Sequence, residues 1–273
     1  MARAGWRSAG NIPGRRWLRR LLICLAALAA LAVQAQPAVP ILVYHRFGPT
    51  VADGMTTRTA VFEAQLDRLE AEGYTIVPLS AAVAGLQGRA ALPARPLAVT
   101  VDDGHRTDYT DLLPIIRRRH LPVALFIYPS AISNAPYAMT WEQLAEMAAT
   151  GLVEIHSHTY WHPDFRIEKR RLEPAAYQSF VRSQLEKPRQ VLKARLGADA
   201  PFLAWPFGIR DPELEAAAAA AGYGAAFALG DRHATAADPL LALPRYLIVD
   251  GHGVAGLLAL LRVGEKLAAG ARP

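Results

Sequence analysis

Short apolar runs rich in β-branched and aromatic residues alternate along most of this chain with longer stretches whose apolar positions recur every three or four residues. A strand buried on both faces reads as a continuous apolar run, and the helix that covers it shows a single apolar stripe, so the alternation is that of βα units. The runs predict strands over residues 39–43, 74–78, 97–101, 123–128, 152–155, 202–205 and 225–229. Helical spacing predicts helices over 60–73, 108–119, 141–150 and 212–221, with Pro114 bending the second of these. The polar stretch 168–196 is mostly helix-forming and crosses between two strands. Seven or eight strands with intervening helices in about 235 residues predict one closed or nearly closed β/α barrel, whose working groups sit just past the carboxyl ends of strands. No repeat, linker or internal domain boundary interrupts the pattern.

Composition changes this picture little: 52% of residues are apolar and 20% charged, enough for a sizeable core. Charge distribution changes it more. The formal net charge of +6 comes from 30 basic against 24 acidic residues, and residues 1–35 hold Arg3, Arg7, Arg15, Arg16, Arg19 and Arg20 with no acid. Without them the balance is 24 to 24, so no basic patch points to nucleic acid. The same stretch, an arginine-rich start, an apolar run from Leu21 to Val33 and Val33-Gln34-Ala35 before Gln36, reads as a secretory signal. The expected division is therefore a signal over 1–35 and a catalytic domain over 36–273, exported to the periplasm or the cell exterior. An uncleaved N-terminal helix serving as an anchor is the alternative. The run of about thirteen residues falls short of the roughly 20 that span a bilayer, so the mature chain is expected to hold no stable membrane span. Cys24, the single cysteine, lies in this run, so any metal in a processed chain must be held by His, Asp or Glu.

Three segments at predicted strand ends carry candidate chemistry. The first is Leu97-Ala-Val-Thr-Val-Asp102-Asp103-Gly104. Asp-Gly is a common turn signal, but consecutive side chains at a strand end diverge, so one carboxylate can bind a cation while the other reaches a reacting water. In the second, His156, His158 and His162 fall within seven residues. His158 and His162 are spaced i, i+4, which predicts two imidazoles on one face of a helical turn, aimed at one metal. The third, Phe202-Leu-Ala204-Trp205-Pro206-Phe207-Gly208, predicts a turn with an exposed amide for an oxyanion and an aromatic wall for a sugar. Trp205, Pro206, Phe207 and Tyr160 are the expected oxyanion and substrate contacts. His45 ends the first strand, where it either meets substrate or caps the strand, while His105, His120 and His233 read as structural or exposed.

Together these segments resemble the polysaccharide deacetylases of carbohydrate esterase family four, the group built around the NodB homology domain. The resemblance runs from about Pro40 to Asp250. Thr100-Val-Asp102-Asp103-Gly104 is similar to the family's first motif, His158-Thr-Tyr-Trp-His162-Pro163 to its second, and Trp205-Pro206-Phe207-Gly208 to a variant of its third. It implies a distorted (β/α)7-type barrel that binds zinc, or else cobalt or nickel, and removes acetyl from nitrogen on N-acetylglucosamine-containing polysaccharide. Asp103, His158 and His162 would hold the metal and Asp102 would be the general base. His252, near the C-terminus, would be the general acid, although Val249-Asp250-Gly251-His252-Gly253 reads equally as a surface turn. An arginine that orients the base usually begins the family's third motif; Ala204 stands there in this sequence, so either another group such as Arg210 substitutes or the reaction is slower. A branch acting on poly-β-1,6-N-acetylglucosamine is similar in lacking that arginine and in opening on a Tyr-His strand, here Tyr44-His45. The partner implied is an N-acetylated polysaccharide, and nothing in the pattern specifies an oligomer. Two other readings use the same residues: an O-acetyl esterase of the xylan type, and a glycan-binding or assembly protein that has lost catalysis.

Overall fold

Seven parallel strands pair with one another in the order of the chain and close on themselves: β1 (Ile41–Tyr44), β2 (Pro96–Asp103), β3 (Val123–Ile127), β4 (Val153–Ser157), β5 (Phe202–Ala204), β6 (Ala225–Leu229) and β7 (Leu243–Leu247). The ring shuts where β1 pairs with β7 on one side and with β2 on the other. This is a closed (β/α)7-type barrel. The computed structural model describes residues 38–197, 199–268 and 270 together with Met1 and Gly5, so the expected signal over 1–35 otherwise lies outside the described residues. Among the described residues no helix is long and apolar enough to cross a membrane.

Helices cover the ring: α1 (Thr59–Ala71), α2 (Leu79–Leu86), α3 (Leu113–Arg119), α4 (Trp141–Ala149), α5 (Phe165–Arg171), α6 (Pro174–Leu196), α7 (Pro212–Ala220) and α8 (Gly253–Ala268). Alternation along each strand separates two cores, because successive side chains point to opposite faces. Leu42, Tyr44, Val99, Val101, Leu125 and Ile127 belong to the cluster beneath the helices. Ile41, Ala98, Ala124, Phe126, Phe202, Ala204, Phe227 and Leu243 form a second cluster, which fills the barrel. By the same alternation Thr100 and Asp102 on β2, His156 on β4 and Arg245 on β7 point inward, and all four are buried.

Several expectations need correction. The strand expected over 74–78 shrinks to Thr75–Ile76, which pairs with the start of β2 and stays out of the ring. β7 was not expected, since Pro244 and Arg245 break its apolar run; α2 and α8 were not expected either. Around Pro114 the helix does not simply bend. A π-helical turn over Asp108–Leu112, closed by the Leu113 N–H donating to Asp108 O, runs without a break into α3, so the hydrogen-bond ladder is widened directly ahead of a proline that cannot donate to it.

Candidate active site

Asp102 and Asp103 separate because the chain turns between them. Asp102 still follows the pleat of β2 and points into the barrel, 3% exposed. Asp103 has φ +80°, a left-handed conformation that swings its carboxylate onto the rim. Gly104 follows at φ +72°, where a Cβ would lie 2.9 Å from Ile127 Cγ2, so this turn requires glycine.

His158 directly follows β4, its N–H held by Ile127 O at 2.8 Å. Its ring Nδ1 faces Ala204 O at 2.8 Å; a carbonyl only accepts, so Nδ1 carries the proton and Nε2 presents a lone pair to the site. His162 arrives by a different route from the one expected. Residues 158–164 form an irregular loop rather than a helical turn, and Thr159 and His162 sit at φ +65° and +62°. That loop is tethered: Gln184 Oε1 on α6 accepts the N–H of Tyr160 at 3.2 Å and of Trp161 at 3.1 Å, and Thr159 Oγ1 accepts the N–H of His162. Gln184 is 3% exposed. Asp103, Thr159, His162 and Phe207 are four of the six non-glycine residues at positive φ among the described residues. Strained backbone concentrates at sites that the rest of a fold over-determines.

The three expected ligands converge. One ligand atom each from Asp103, His158 and His162 all lie within 4.8 Å of one another. Both imidazole Nε2 atoms stand 3.8 Å from Asp103 Oδ1. Two imidazoles and one carboxylate with converging lone pairs suit zinc and its neighbours in the first transition row, and they leave coordination positions open. Asp102 Oδ2 lies 3.7 Å from His158 Nε2, next to this cluster.

Ala204 leaves no arginine on β5, yet an arginine from another strand meets Asp102. Arg245 on β7 donates from both terminal nitrogens to the two oxygens of Asp102, at 2.7 Å each, and also to Thr100 Oγ1. Its guanidinium stacks 5.2 Å over the Phe126 ring and is 1% exposed. Burial alone would raise the Asp102 pKa, but the Arg245 charge and hydrogen bonds, with His158 nearby, bring it down to about 2. Arg210 does not take this role, because it pairs with Glu215 at the surface. No single segment signals Arg245, since its pairing depends on ring closure across 143 residues.

A cavity of about 200 Å³ opens onto this cluster, lined by His45, Met55, Asp102, Asp103, His158, His162, Trp205, Phe207, Leu229 and Arg245 among others. His45 lines it with a buried Nδ1 that has no partner among the described residues. His252 is not among its lining residues; its Nδ1 instead accepts the Val249 N–H and closes a turn. Phe207, 59% exposed, sets its ring against His162 at 4.6 Å. Trp205 lines the cavity, but its ring packs near Phe165 outside the barrel, with Nε1 donating to Leu241 O. Pro206 is buried, and the Tyr160 ring is covered by the Lys187 ammonium at 3.8 Å. His156, buried beside Phe202 inside the barrel, stands 3.6 Å from Glu154, away from the ligand cluster.

A profile of the polysaccharide deacetylase family matches residues 89–226, which takes in β2 to β5 but ends before Arg245. Poly-beta-1,6-N-acetyl-D-glucosamine N-deacetylase of Escherichia coli (strain K12) is 25% identical over 243 residues, covering 76% of this chain and 36% of that protein. The chain thus spans about a third of that relative's length. Among solved structures, Streptococcus pyogenes deacetylase PplD in complex with acetate superposes with a TM-score of 0.74 at 20% identity, over 83% of this chain and 99% of that one. IcaB from Ammonifex degensii gives 0.71 at 25% identity, over 83% and 97%.

Proposed function

The chain belongs to the polysaccharide deacetylase family, whose profile it matches over half its length, and on that premise we propose that it removes N-acetyl groups from polysaccharide built on N-acetylglucosamine, with poly-β-1,6-N-acetylglucosamine as the substrate. The observation that carries this reading is the meeting of Asp103, His158 and His162 beside an ionised Asp102 on one barrel rim. The name of the Escherichia coli relative supports the choice of glycan.

Asp103, His158 and His162 would hold a divalent cation, zinc first among the candidates. Such an ion, when bound, supplies Lewis acidity toward a carbonyl and makes water easier to deprotonate. The remaining work belongs to the chain. Asp102 takes the proton of the attacking water, and Arg245 keeps that carboxylate ionised and its two oxygens fixed in direction. The Ala204 carbonyl keeps His158 in the tautomer that can be a ligand. In the turn after β5, Gly208 and Ile209 spend their amides on Trp205 O and Pro206 O. The Phe207 N–H is then the amide offered to the oxyanion, an interaction worth roughly 3 kcal/mol. As the C–N bond breaks, the leaving amine needs a proton, and His45 lines the cavity whereas His252 does not. We therefore assign proton delivery to His45: burial keeps its ring neutral beforehand, and it passes to the amine nitrogen the proton that Asp102 took from the water. The non-catalytic alternative rested on the missing arginine, and the Arg245–Asp102 pair removes that ground.

Acetate release from β-1,6-linked N-acetylglucosamine oligomers, chitin oligomers and acetylxylan tests the reading. Release from the first and its loss on chelation are expected. Asp103→Ala and His158→Ala should lose both bound metal and turnover, whereas Asp102→Asn should keep metal and lose turnover by roughly a hundredfold or more. His45→Gln should slow amide substrates more than acetate esters, whose better leaving group needs little acid. Full turnover in Asp103→Ala, or release from acetylxylan alone, would overturn the proposal.

A further inference from the structure

The aromatic rings beside the ligand cluster continue well past it. From Phe207 the row passes to His162 at 4.6 Å and on to Tyr128 at 5.4 Å. The hydroxyl of Tyr128 lies 2.8 Å from that of Tyr137, and the Tyr137 ring stacks on His105 at 6.3 Å and 8°. Tyr137 is 41% exposed, a large aromatic left facing solvent. It is also rigidly placed, since Arg106 N–H donates to Tyr137 O at 2.7 Å and His105 bridges Ala138. The far end of the row opens on a second cavity of about 290 Å³, lined by Arg46, Asp53, Thr56, His105, Arg106 and Asp111 among others. Arg46 and Asp53 form an ion pair there, and Asp53 also accepts from Met55 N–H and Thr56 Oγ1.

The row runs through centroid spacings of 4.6 Å and 5.4 Å before it reaches Tyr137, longer than one pyranose ring, and the two cavities are lined by different residues, so a sugar at the ligand cluster would leave Tyr137 and the second cavity to its neighbour in the same chain. Pyranose C–H faces pack on aromatic rings, and fixed donors and acceptors meet their hydroxyls. Arg46 and Arg106 against Asp53 and Asp111 leave this cavity formally neutral, as suits an uncharged glycan better than an anionic one. We infer that the second cavity is a subsite for the adjacent hexosamine of the polysaccharide, with Arg46, Asp53 and Arg106 as its hydroxyl partners and with Tyr137, stacked on His105 at its border, as the platform by which the sugar chain enters it. The inference rests on the deacetylase reading and adds to it a direction along which the polymer lies.

The test is kcat/KM for acetate release from β-1,6-linked N-acetylglucosamine oligomers of increasing length. In the unsubstituted protein kcat/KM rises with length. Tyr137→Ala lowers the ratio of pentamer to dimer roughly tenfold, about 1.4 kcal/mol, chiefly through KM. Tyr137→Trp, which keeps a platform, restores the ratio, and the exposed Arg106→Ala lowers it without a packing change. An unchanged ratio in both Tyr137→Ala and Arg106→Ala overturns the subsite while leaving the deacetylase reading intact. An unsubstituted protein that releases acetate from no oligomer overturns both.

Discussion

Asp102 and Asp103 are adjacent in sequence and point in different directions because one keeps the pleat of β2 while the other leaves it at φ +80°. Arg245 fixes the environment of the first. A buried guanidinium–carboxylate fork gains little net stability over apolar packing, but removing one partner leaves an unpaired charge in the barrel. Arg245→Met is expected to cost about 3–5 kcal/mol by urea denaturation, and Arg245→Lys less. Acetate release should fall roughly a hundredfold in Arg245→Met and recover in part in Arg245→Lys, with bound metal unchanged in both. At this scale the sequence was informative wherever a group stood next to its strand. The carboxylate pair and the histidines followed apolar runs, so period-2 reasoning located them. Arg245 was hidden because an arginine next to a proline reads as an interruption, and its carboxylate is 143 residues away.

The elements show where sequence spacing misled. An i, i+4 histidine pair predicts a helical turn, yet the chain from 158 to 164 reaches the same convergence through left-handed φ at Thr159 and His162. Helical spacing was thus a coincidence of distance, and what replaces the helix is a tether from another element. Gln184 on α6 satisfies two N–H groups of that loop with one oxygen. Gln184→Met keeps the volume and leaves both donors unpaired, at about 1–3 kcal/mol each. Metal affinity is expected to weaken roughly 10- to 100-fold in Gln184→Met, while Gln184→Glu, which retains an acceptor, stays near the unsubstituted protein. Titration of metal into the apo-proteins measures this. Equal affinities in all three would show that the loop holds its shape unaided. β7 and α8 were missed for another reason: a five-residue strand containing Pro244 is persuasive only once its neighbours β1 and β6 are known.

Across the whole molecule, closure of the ring places the outward Tyr246 of β7 against α8. Its hydroxyl lies 2.8 Å from His233 Nδ1, within hydrogen-bond reach, and a Cβ on Gly264 would fall 1.6 Å from that hydroxyl. Burial, aided by the Arg95 charge, lowers the His233 pKa to about 4. Below pH 6.5 the unfolded chain takes up a proton here that the folded chain refuses until about pH 4, so this contribution is complete above 6.5 and fades as pH falls. At pH 5 it should lower stability by about 2 kcal/mol relative to pH 7, and His233→Gln should lose that part of the slope in urea titrations at the two pH values. A slope unchanged by the substitution would reject it.

The order of the strands carries one more consequence. Both carboxylates and both imidazoles of the candidate site precede residue 163, whereas the guanidinium that pairs with Asp102 lies on the last strand of the barrel. A chain ended just ahead of β7 would therefore carry Asp103, His158, His162 and the Ala204 carbonyl but lack the partner of Asp102, and is expected to turn over roughly a hundredfold more slowly, as Arg245→Met is. On the proposed reading, full turnover therefore waits on docking of the seventh strand, whereas the three candidate ligands are already present without it.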